Sequence, residues 1–201
     1  WVKLIGSFNA YNLAAIFACA KILGLATDEI LRLMSNLESV KGRFEFFITD
    51  SNITVIIDYA HTPDALKNIL QTINEIRSKN ESLITIVGCG GDRDKTKRPK
   101  MGHIASVLST KVILTSDNPR SEDPETIISE IEEGVEAQNL RKTISITNRK
   151  QAIKTACQLA RPSDIILVTG KGHETYQEIQ GEKKYFNDFE IAQEYLKQLQ
   201  K

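Results

Sequence analysis

The chain has 201 residues and no net charge at neutral pH, because its 26 Lys and Arg side chains balance its 26 Asp and Glu side chains. A neutral chain is not expected to bind nucleic acid or an anionic membrane surface, and the sequence contains no apolar run near the roughly 20 residues of a membrane span. Three widely separated cysteines, Cys19, Cys89 and Cys157, show neither disulfide nor metal-ligand spacing and indicate a reducing, cytoplasmic location.

The chain begins at Trp1 without an initiator Met or a signal peptide, so we expect a fragment of a longer protein. Apolar residues recur at the helical period over residues 8–24, and Gly24 is suited to end that helix. A second helix is predicted to begin at Thr27, a helix-capping residue followed by two acidic side chains.

The helical period stops at Gly42-Arg43-Phe44-Glu45, which predicts a linker. We therefore expect residues 1–42 to be the helical end of one domain and residues 43–201 to form a second domain. Strands and helices alternate from about residue 45. The predicted strands are 53–58, 83–88, 111–115, 142–147 and 164–169. The predicted helices are 64–78, 99–109, 124–137, 148–160 and 188–199.

The predicted strands are continuous runs rich in Ile and Val, which is the composition expected when helices cover both faces of a parallel sheet. Residues 174–186 predict a short hairpin around Gly181, which we expect to add an antiparallel edge. The predicted fold class is α/β, with a Rossmann-like, doubly wound, mostly parallel sheet, helices on both faces and a preceding helical tail.

Three polar turns follow predicted strands of this sheet. Asp117-Asn118-Pro119-Arg120 follows the strand 111–115, and the turns Gly88–Arg93 and Gly170–Glu174 follow two others. Ligands of open α/β sheets bind at the carboxyl ends of the strands. We therefore expect the three turns to form one shared site, to which Arg120 contributes a guanidinium.

Glycines in two of these turns let backbone N–H groups approach an anion closely. Neither turn is a phosphate-binding loop of the Walker A type, because the glycine spacing is wrong. The alternatives are a solvated charged loop at Gly88–Arg93 and an ordinary glycine-rich turn at Gly170–Glu174. A further junction, Asp58 to Pro63, is suited to a ligand if Asp58 accepts from ribose hydroxyls and His61 faces phosphate or substrate. The alternative is that these residues only cap a helix.

Five motifs in register resemble the carboxy-terminal domain of the Mur ligases, in particular the members that add the third amino acid of the peptidoglycan stem peptide. The motifs are Gly42–Glu45, Asp58–Asp64, Gly88–Asp94, Asp117–Arg120 and Gly170–Glu174. The segment Phe8–Asn12 is similar to the end of the central ATP-binding domain of that family, which implies that residues 1–42 belong to such a domain.

The resemblance implies an ADP-forming ligase of peptidoglycan synthesis. In this family ATP, with Mg²⁺, phosphorylates a carboxylate of a UDP-N-acetylmuramoyl dipeptide, and the incoming amine attacks the acyl phosphate. ATP, Mg²⁺ and the UDP-linked substrate would be bound mainly by other domains. The implied nucleotide contacts are Asn12, Arg43 and Asp58, with His61 near the phosphates as the one candidate for a catalytic role. The implied amino-acid pocket consists of Arg93, Asp117, Asn118, Pro119, Arg120, Gly170 and Glu174.

The implied amino acid is meso-diaminopimelate, which carries a distal carboxylate and a distal ammonium besides its reacting amine. Arg120, with Arg93 nearby, can hold the carboxylate through two parallel hydrogen bonds, and Glu174 can pair with the ammonium. Lysine lacks that carboxylate and leaves Arg120 unpaired, and members that add lysine differ at this position. The alternatives are a lysine-adding ligase and a non-catalytic module that binds a nucleotide or an amino acid. We expect a monomer and assign no metal ligand.

Overall fold

A computed structural model describes residue 4, residues 6–78 and residues 80–201. For residues 7 and 8 it describes the backbone alone. The predicted fragment boundary at Trp1 and the side chain of Phe8 lie outside the described residues. The chain divides into two compact units, Trp1–Val40 and Lys41–Lys201.

The first unit contains two helices, α1 over Ser7–Ile22 and α2 over Thr27–Ser35, as the sequence predicts. The prediction that Thr27 is the helix cap is wrong by one residue. Ala26 holds the extended conformation of the cap, and Thr27 is the first residue of α2. Ala26 offers no side-chain hydrogen bond, and the two acidic residues of the first turn favour this helix end electrostatically.

The second unit is built on a six-stranded sheet in the order β1-β2-β6-β3-β4-β5. Its strands are β1 Glu45–Ile48, β2 Thr54–Asp58, β3 Leu83–Val87, β4 Lys111–Leu114, β5 Thr143–Ser145 and β6 Ile165–Thr169. Strands β2 to β6 pair in parallel, and β1 pairs antiparallel with β2. The predicted strands are therefore confirmed, with the largest difference in β5, which is three residues long.

The prediction of a linker over Gly42–Glu45 is wrong at its last residue, because β1 begins at Glu45 and forms the antiparallel edge. The predicted hairpin exists as β7 Tyr176–Ile179 and β8 Glu182–Tyr185, but it does not extend the main sheet. It pairs instead with the turn at Arg120, through an isolated bridge to Ile179.

The helices of the second unit are α3 Pro63–Ile76, α4 Lys97–Leu108, α5 Pro124–Glu132, α6 Arg149–Leu159 and α7 Asp188–Gln198, with a 3₁₀ helix over Ala137–Lys142. Thr62 and Asp123 accept hydrogen bonds from the third residue beyond them and precede a proline at the first helical position. Helix α5 ends five residues before the predicted 137. Gly134 follows this helix, and a Cβ added at Gly134 would lie only 1.7 Å from the carbonyl oxygen of Pro99.

Helices cover both faces of this sheet. Helices α6 and α7 pack on one face, where Ile153, Cys157 and Leu196 join the apolar side chains of the strands. Helices α3, α4 and α5 pack in series, and their buried residues include Leu66 and Met101. Strands β3 and β6 are buried along their whole length. Each fully buried Ile or Leu side chain stabilises the folded state by about 1.5–3 kcal/mol. The predicted doubly wound α/β class is confirmed. No helix among the described residues is both long enough and apolar enough to span a membrane.

Candidate functional site

The polar turns converge at one edge of the sheet. Strands β2, β6, β3 and β4 are successive parallel neighbours, so their carboxyl ends lie side by side. Backbone hydrogen bonds join the turns that follow them: Gly91 N donates to Asn118 O at 2.9 Å, and Gly170 N donates to Asp58 O at 3.1 Å. The turns that the sequence predicts to share a site therefore lie together as one cluster.

The Asp117–Arg120 turn is the centre of this cluster, and its first two residues are buried, with 8% of Asp117 and 2% of Asn118 exposed. Arg120 has a φ of 52°, which is uncommon for a residue with a side chain. Its N–H donates to Glu178 O at 3.1 Å and its carbonyl accepts from Gln180 N at 2.7 Å. The β7–β8 hairpin thus holds the turn in this conformation.

The Arg120 guanidinium is oriented by two neighbours. Nη1 donates to Gly91 O at 2.7 Å, and Nε lies 3.7 Å from Glu178 Oε2. The contact with Gly91 attaches the guanidinium to the Gly88–Arg93 loop. Arg93, on that loop, is exposed and donates from Nη1 to Asp92 O at 3.2 Å. The structure therefore brings both predicted arginines to one edge, with Arg120 the more constrained of the two.

Glu174 is joined to the arginine-bearing turn through Asn118. The amide Nδ2 of Asn118 donates to Glu174 Oε2 at 2.8 Å, and its Oδ1 accepts from Glu178 N at 3.0 Å. Gly170 has a φ of 108°, and a Cβ added there would lie 2.4 Å from Asp117 Oδ2. The predicted pocket residues Asp117, Asn118, Gly170 and Glu174 are therefore in mutual contact.

Lys171 belongs to the same cluster, although no pattern in the sequence singles it out. Its side chain is fully buried, and Nζ donates to Asn118 Oδ1 at 2.9 Å and to Glu174 Oε2 at 3.4 Å. Burial lowers its pKa, while Asp117 and Glu174 oppose that change. The only signal in the sequence is its place between two glycines, and that pattern does not distinguish a buried lysine from an exposed one.

Arg149, the first residue of α6, is a second buried cation that the sequence did not reveal. It pairs with Asp188 through two hydrogen bonds of 2.9 and 2.7 Å and donates to Thr169 O at 2.8 Å. Its remaining terminal nitrogen, Nη1, lies 4.0 Å from Asp117 Oδ2. Burial disfavours its charged form, but the pairing with Asp188 outweighs that cost and its pKa is raised.

A second group of predicted residues lies at the end of β2. Asp58 Oδ2 accepts from Phe44 N at 2.8 Å and Oδ1 accepts from Ala60 N at 2.7 Å. Burial raises the pKa of Asp58, and the two backbone N–H groups only partly offset this. The carboxylate caps no helix, because Thr62 caps α3, so the alternative of a simple helix cap is wrong for Asp58.

Aromatic rings and a guanidinium pack around Tyr59, the residue that follows Asp58. Arg43 lies over the Tyr59 ring at 4.5 Å, and the rings of His61 and His173 lie 4.6 and 5.3 Å from that of Tyr59. The Nδ1 atom of His61 is 2.9 Å from Tyr59 O. Because a carbonyl oxygen only accepts, Nδ1 of His61 is the donor in this contact.

The last predicted residue, Asn12, lies on α1 in the first unit. Its Nδ2 donates to Asn9 Oδ1 at 3.2 Å, and the side chain is exposed. For metals, no group of three or more His, Cys, Asp or Glu side chains in the described part of the chain is placed to hold an ion.

These features define an α/β domain with a cluster of charged and polar side chains at the carboxyl edge of its sheet. The family model of the Mur ligase, glutamate ligase domain, matches residues 42–172. The chain therefore belongs to the Mur ligase family.

Individual relatives agree with this family. The chain is 55% identical over 201 residues to the UDP-N-acetylmuramoyl-L-alanyl-D-glutamate–2,6-diaminopimelate ligase of Cytophaga hutchinsonii, covering all of this chain and 41% of that protein. It is 49% identical over 193 residues to the ligase of the same name from Bacteroides thetaiotaomicron, covering 96% of this chain and 40% of that protein. The chain thus spans about two fifths of the length of these relatives.

A solved structure of a UDP-N-acetylmuramoyl-L-alanyl-D-glutamate–2,6-diaminopimelate ligase superposes with a TM-score of 0.76 at 36% identity, covering all of this chain and 40% of that one. The Thermotoga maritima UDP-N-acetylmuramate-alanine ligase shares the fold, with a TM-score of 0.67 at 20% identity, covering 99% of this chain and 39% of that one.

Proposed function

We propose that this chain is the carboxy-terminal part of an ADP-forming ligase that adds meso-diaminopimelate to UDP-N-acetylmuramoyl-L-alanyl-D-glutamate in peptidoglycan synthesis. Residues 1–42 would be the end of the central ATP-binding domain, and residues 43–201 the carboxy-terminal domain. We further propose that the whole ligase is a cytoplasmic monomer. The names of the relatives support the reaction, and the carboxyl edge of the sheet supports the choice of amino acid.

One observation carries the choice of substrate. The 2.8 Å bond between Asn118 Nδ2 and Glu174 Oε2 fixes an acidic side chain beside the turn that holds the Arg120 guanidinium. A ligand with both a carboxylate and an ammonium at its distal end matches this pair of opposite charges, and meso-diaminopimelate has both. Lysine has the ammonium alone and offers no carboxylate to the terminal N–H groups of Arg120 that do not bond Gly91.

The remaining pocket residues would hold the ligand in place. Arg93 would add positive charge on the carboxylate side, and the rigid Asp117–Pro119 segment with Gly170 would shape the wall between the turns. The result is a fixed distal end, so that the reacting amine is presented at one position. Such positioning lowers the barrier because the orientation is set before the amine attacks the acyl phosphate.

Asn12, Arg43 and Asp58 are proposed nucleotide contacts, and the residues of the second unit fit that role. Each Asp58 oxygen accepts one backbone N–H and keeps a lone pair for a ribose hydroxyl. Arg43 lies over Tyr59 as a positive charge, and His61 would lie near the phosphates. Asn12 is proposed from the family resemblance alone.

Ligases of this family use ATP and Mg²⁺. Mg²⁺ prefers oxygen ligands, usually one or two carboxylates with substrate phosphates. We assign the metal to no residue of this chain, and we propose that the central domain supplies most of the ATP site and that the UDP-sugar contacts come from elsewhere in the ligase.

The test is ADP release by the full-length ligase, supplied with UDP-N-acetylmuramoyl-L-alanyl-D-glutamate and either meso-diaminopimelate or lysine. A site built to bind a polar group rejects an analogue that lacks it by on the order of 10⁴-fold, so kcat/KM is expected to favour diaminopimelate by a factor of that size. Preferential use of lysine would show the lysine-adding variant instead. Absence of ADP release with any amino acid would leave a binding module.

A further inference from the structure

Lys171 lies within the proposed pocket, but the amino-acid contacts proposed above do not include it. Its side chain is fully buried, and its ammonium bonds to Asn118 Oδ1 at 2.9 Å and Glu174 Oε2 at 3.4 Å. It also lies 5.3 Å from the centre of the Tyr176 ring. A buried lysine is costly unless its charge is paired, so these contacts account for its presence.

The ammonium of Lys171 holds the side chain of Glu174 in one position. Oε2 of Glu174 accepts from both Lys171 and Asn118, whereas no described donor reaches Oε1. When a carboxylate is anchored through one oxygen, its other oxygen can accept from a ligand. The side chain is already ordered, so binding costs no further side-chain entropy. The acidic side chain is thereby pre-organised for a cationic partner.

The charges around Lys171 point to the same kind of partner. Three carboxylates and two cations interact in this cluster, namely Asp117, Glu174, Asp188, Arg149 and Lys171. One net negative charge remains, and an ammonium of the ligand would neutralise it. Without Lys171 the cluster would hold two uncompensated negative charges, which would repel each other in a site where water is largely excluded.

We propose that Lys171 is a positioning residue that anchors Glu174 for the distal ammonium of the amino-acid substrate. This proposal builds on the function above, since it names a further residue of the same pocket. Lys171 touches no reacting atom and acts through Glu174. Asn118 keeps the Glu178 N–H as a second anchor, at 3.0 Å, when Lys171 is removed, so the effect on Glu174 dominates.

The test is a double-mutant cycle in the full-length ligase with Lys171→Met, Glu174→Gln and the double variant. A hydrogen bond to a charged group is worth about 10- to 100-fold in binding, so Lys171→Met is expected to raise the KM for the amino acid by that factor. The KM for ATP is expected to change less than about twofold. In the Glu174→Gln background, Lys171→Met should add less than about threefold, because the group through which it acts is already altered.

A control with the same change of chemistry is Lys183→Met. Lys183 is exposed and lies over the same Tyr176 ring at 4.5 Å, and its removal is expected to leave the KM for the amino acid within twofold. If Lys171→Met does not fold, the double variant can still be measured, since it leaves no unpaired buried carboxylate at Glu174, and a rise of KM well above about threefold from Glu174→Gln to the double variant would overturn the proposal.

Two results would overturn the role of Lys171: an unchanged KM in Lys171→Met, or the same factor in both backgrounds, which is the sign of a general structural effect. The cycle is run with whichever amino acid the unmutated ligase consumes. A wrong assignment of diaminopimelate is therefore seen in the unmutated ligase, and a wrong assignment of Lys171 is seen in the cycle.

Discussion

Arg98 and Glu122 form a two-bond ion pair, in which Nη1 donates to Oε2 and Nη2 donates to Oε1, both at 2.9 Å. Arg98 is fully buried in α4, and Glu122 lies two residues after Arg120. Glu122 Oε1 also accepts from Asp92 N at 2.6 Å. One carboxylate therefore links the loop that carries Arg93 to the turn that carries Arg120.

The first prediction concerns the stability of this link. Glu122→Gln leaves the buried Arg98 with Glu130 as its remaining carboxylate partner, which accepts from Nη1. Removing one partner of a buried ion pair costs about 3–5 kcal/mol of stability. Because Glu122 is partly accessible and Glu130 remains, we expect Glu122→Gln to lower the free energy of unfolding by about 2 kcal/mol. Urea denaturation measures this loss. Glu130→Gln, which leaves the two-bond pair with Glu122 intact, is expected to cost less, and an equal cost would contradict this account.

The second prediction is the pH dependence of the same contribution. Hydrogen bonds from Arg98 lower the pKa of Glu122 from 4.5 to about 2. A carboxyl group whose pKa is depressed on folding contributes stability above its unfolded pKa and loses it as the pH falls through the folded pKa. The difference in unfolding free energy between the unmutated protein and Glu122→Gln should be constant above about pH 5.5 and should shrink between 4.5 and 2. Denaturation at several pH values measures it, and a difference that grows toward low pH would contradict the pairing.

The third prediction uses two glycines with positive φ. Gly170 has φ 108° with an added Cβ 2.4 Å from Asp117 Oδ2, whereas Gly181 has φ 78° with nothing within 4 Å. Gly→Ala at either position costs about 1–2 kcal/mol of backbone strain. Only Gly170→Ala displaces Asp117, so it alone is expected to raise the KM for the amino acid, by about tenfold. Steady-state kinetics and thermal melts of both variants separate strain from displacement, and an equal rise of KM in Gly181→Ala would refute the contact at Asp117.

The sheet was predictable because its strands are apolar on both faces. The starts of helices α3 and α5 were predictable because Thr62 and Asp123 are residue types whose side-chain oxygen accepts from a backbone N–H of the first turn. Strand β1 was missed because it is short and follows a glycine–arginine turn, and its burial alternates along only four residues, Glu45–Ile48. A pattern of this length does not separate an edge strand from a loop.

The convergence of the turns was also predictable, because the carboxyl ends of parallel strands meet at one edge. The buried cations beneath them were not. Lys171 and Arg149 are ordinary charged residues in sequence, and charged residues are exposed by default. Their burial follows from partners 39 to 53 residues away, Asp188 for Arg149 and Asn118 for Lys171. Such partners become visible only when the chain is folded.

The fourth prediction separates the charge of Arg120 from its shape. Arg120 donates from Nη1 to Gly91 O at 2.7 Å and its Nε lies 3.7 Å from Glu178 Oε2, so its remaining terminal N–H groups are available for a carboxylate of the ligand. Arg120→Lys keeps the charge but cannot hold both the loop and a carboxylate with parallel hydrogen bonds. We expect kcat/KM for meso-diaminopimelate to fall by about 100-fold, with a much smaller change for lysine. ADP-release assays with both amino acids measure the change in preference.

Arg141→Lys, at an exposed position of the 3₁₀ helix, is the matched control and should leave both rates unchanged. An equal fall for both amino acids in Arg120→Lys would mean that Arg120 supports the fold of the turn and does not select the substrate.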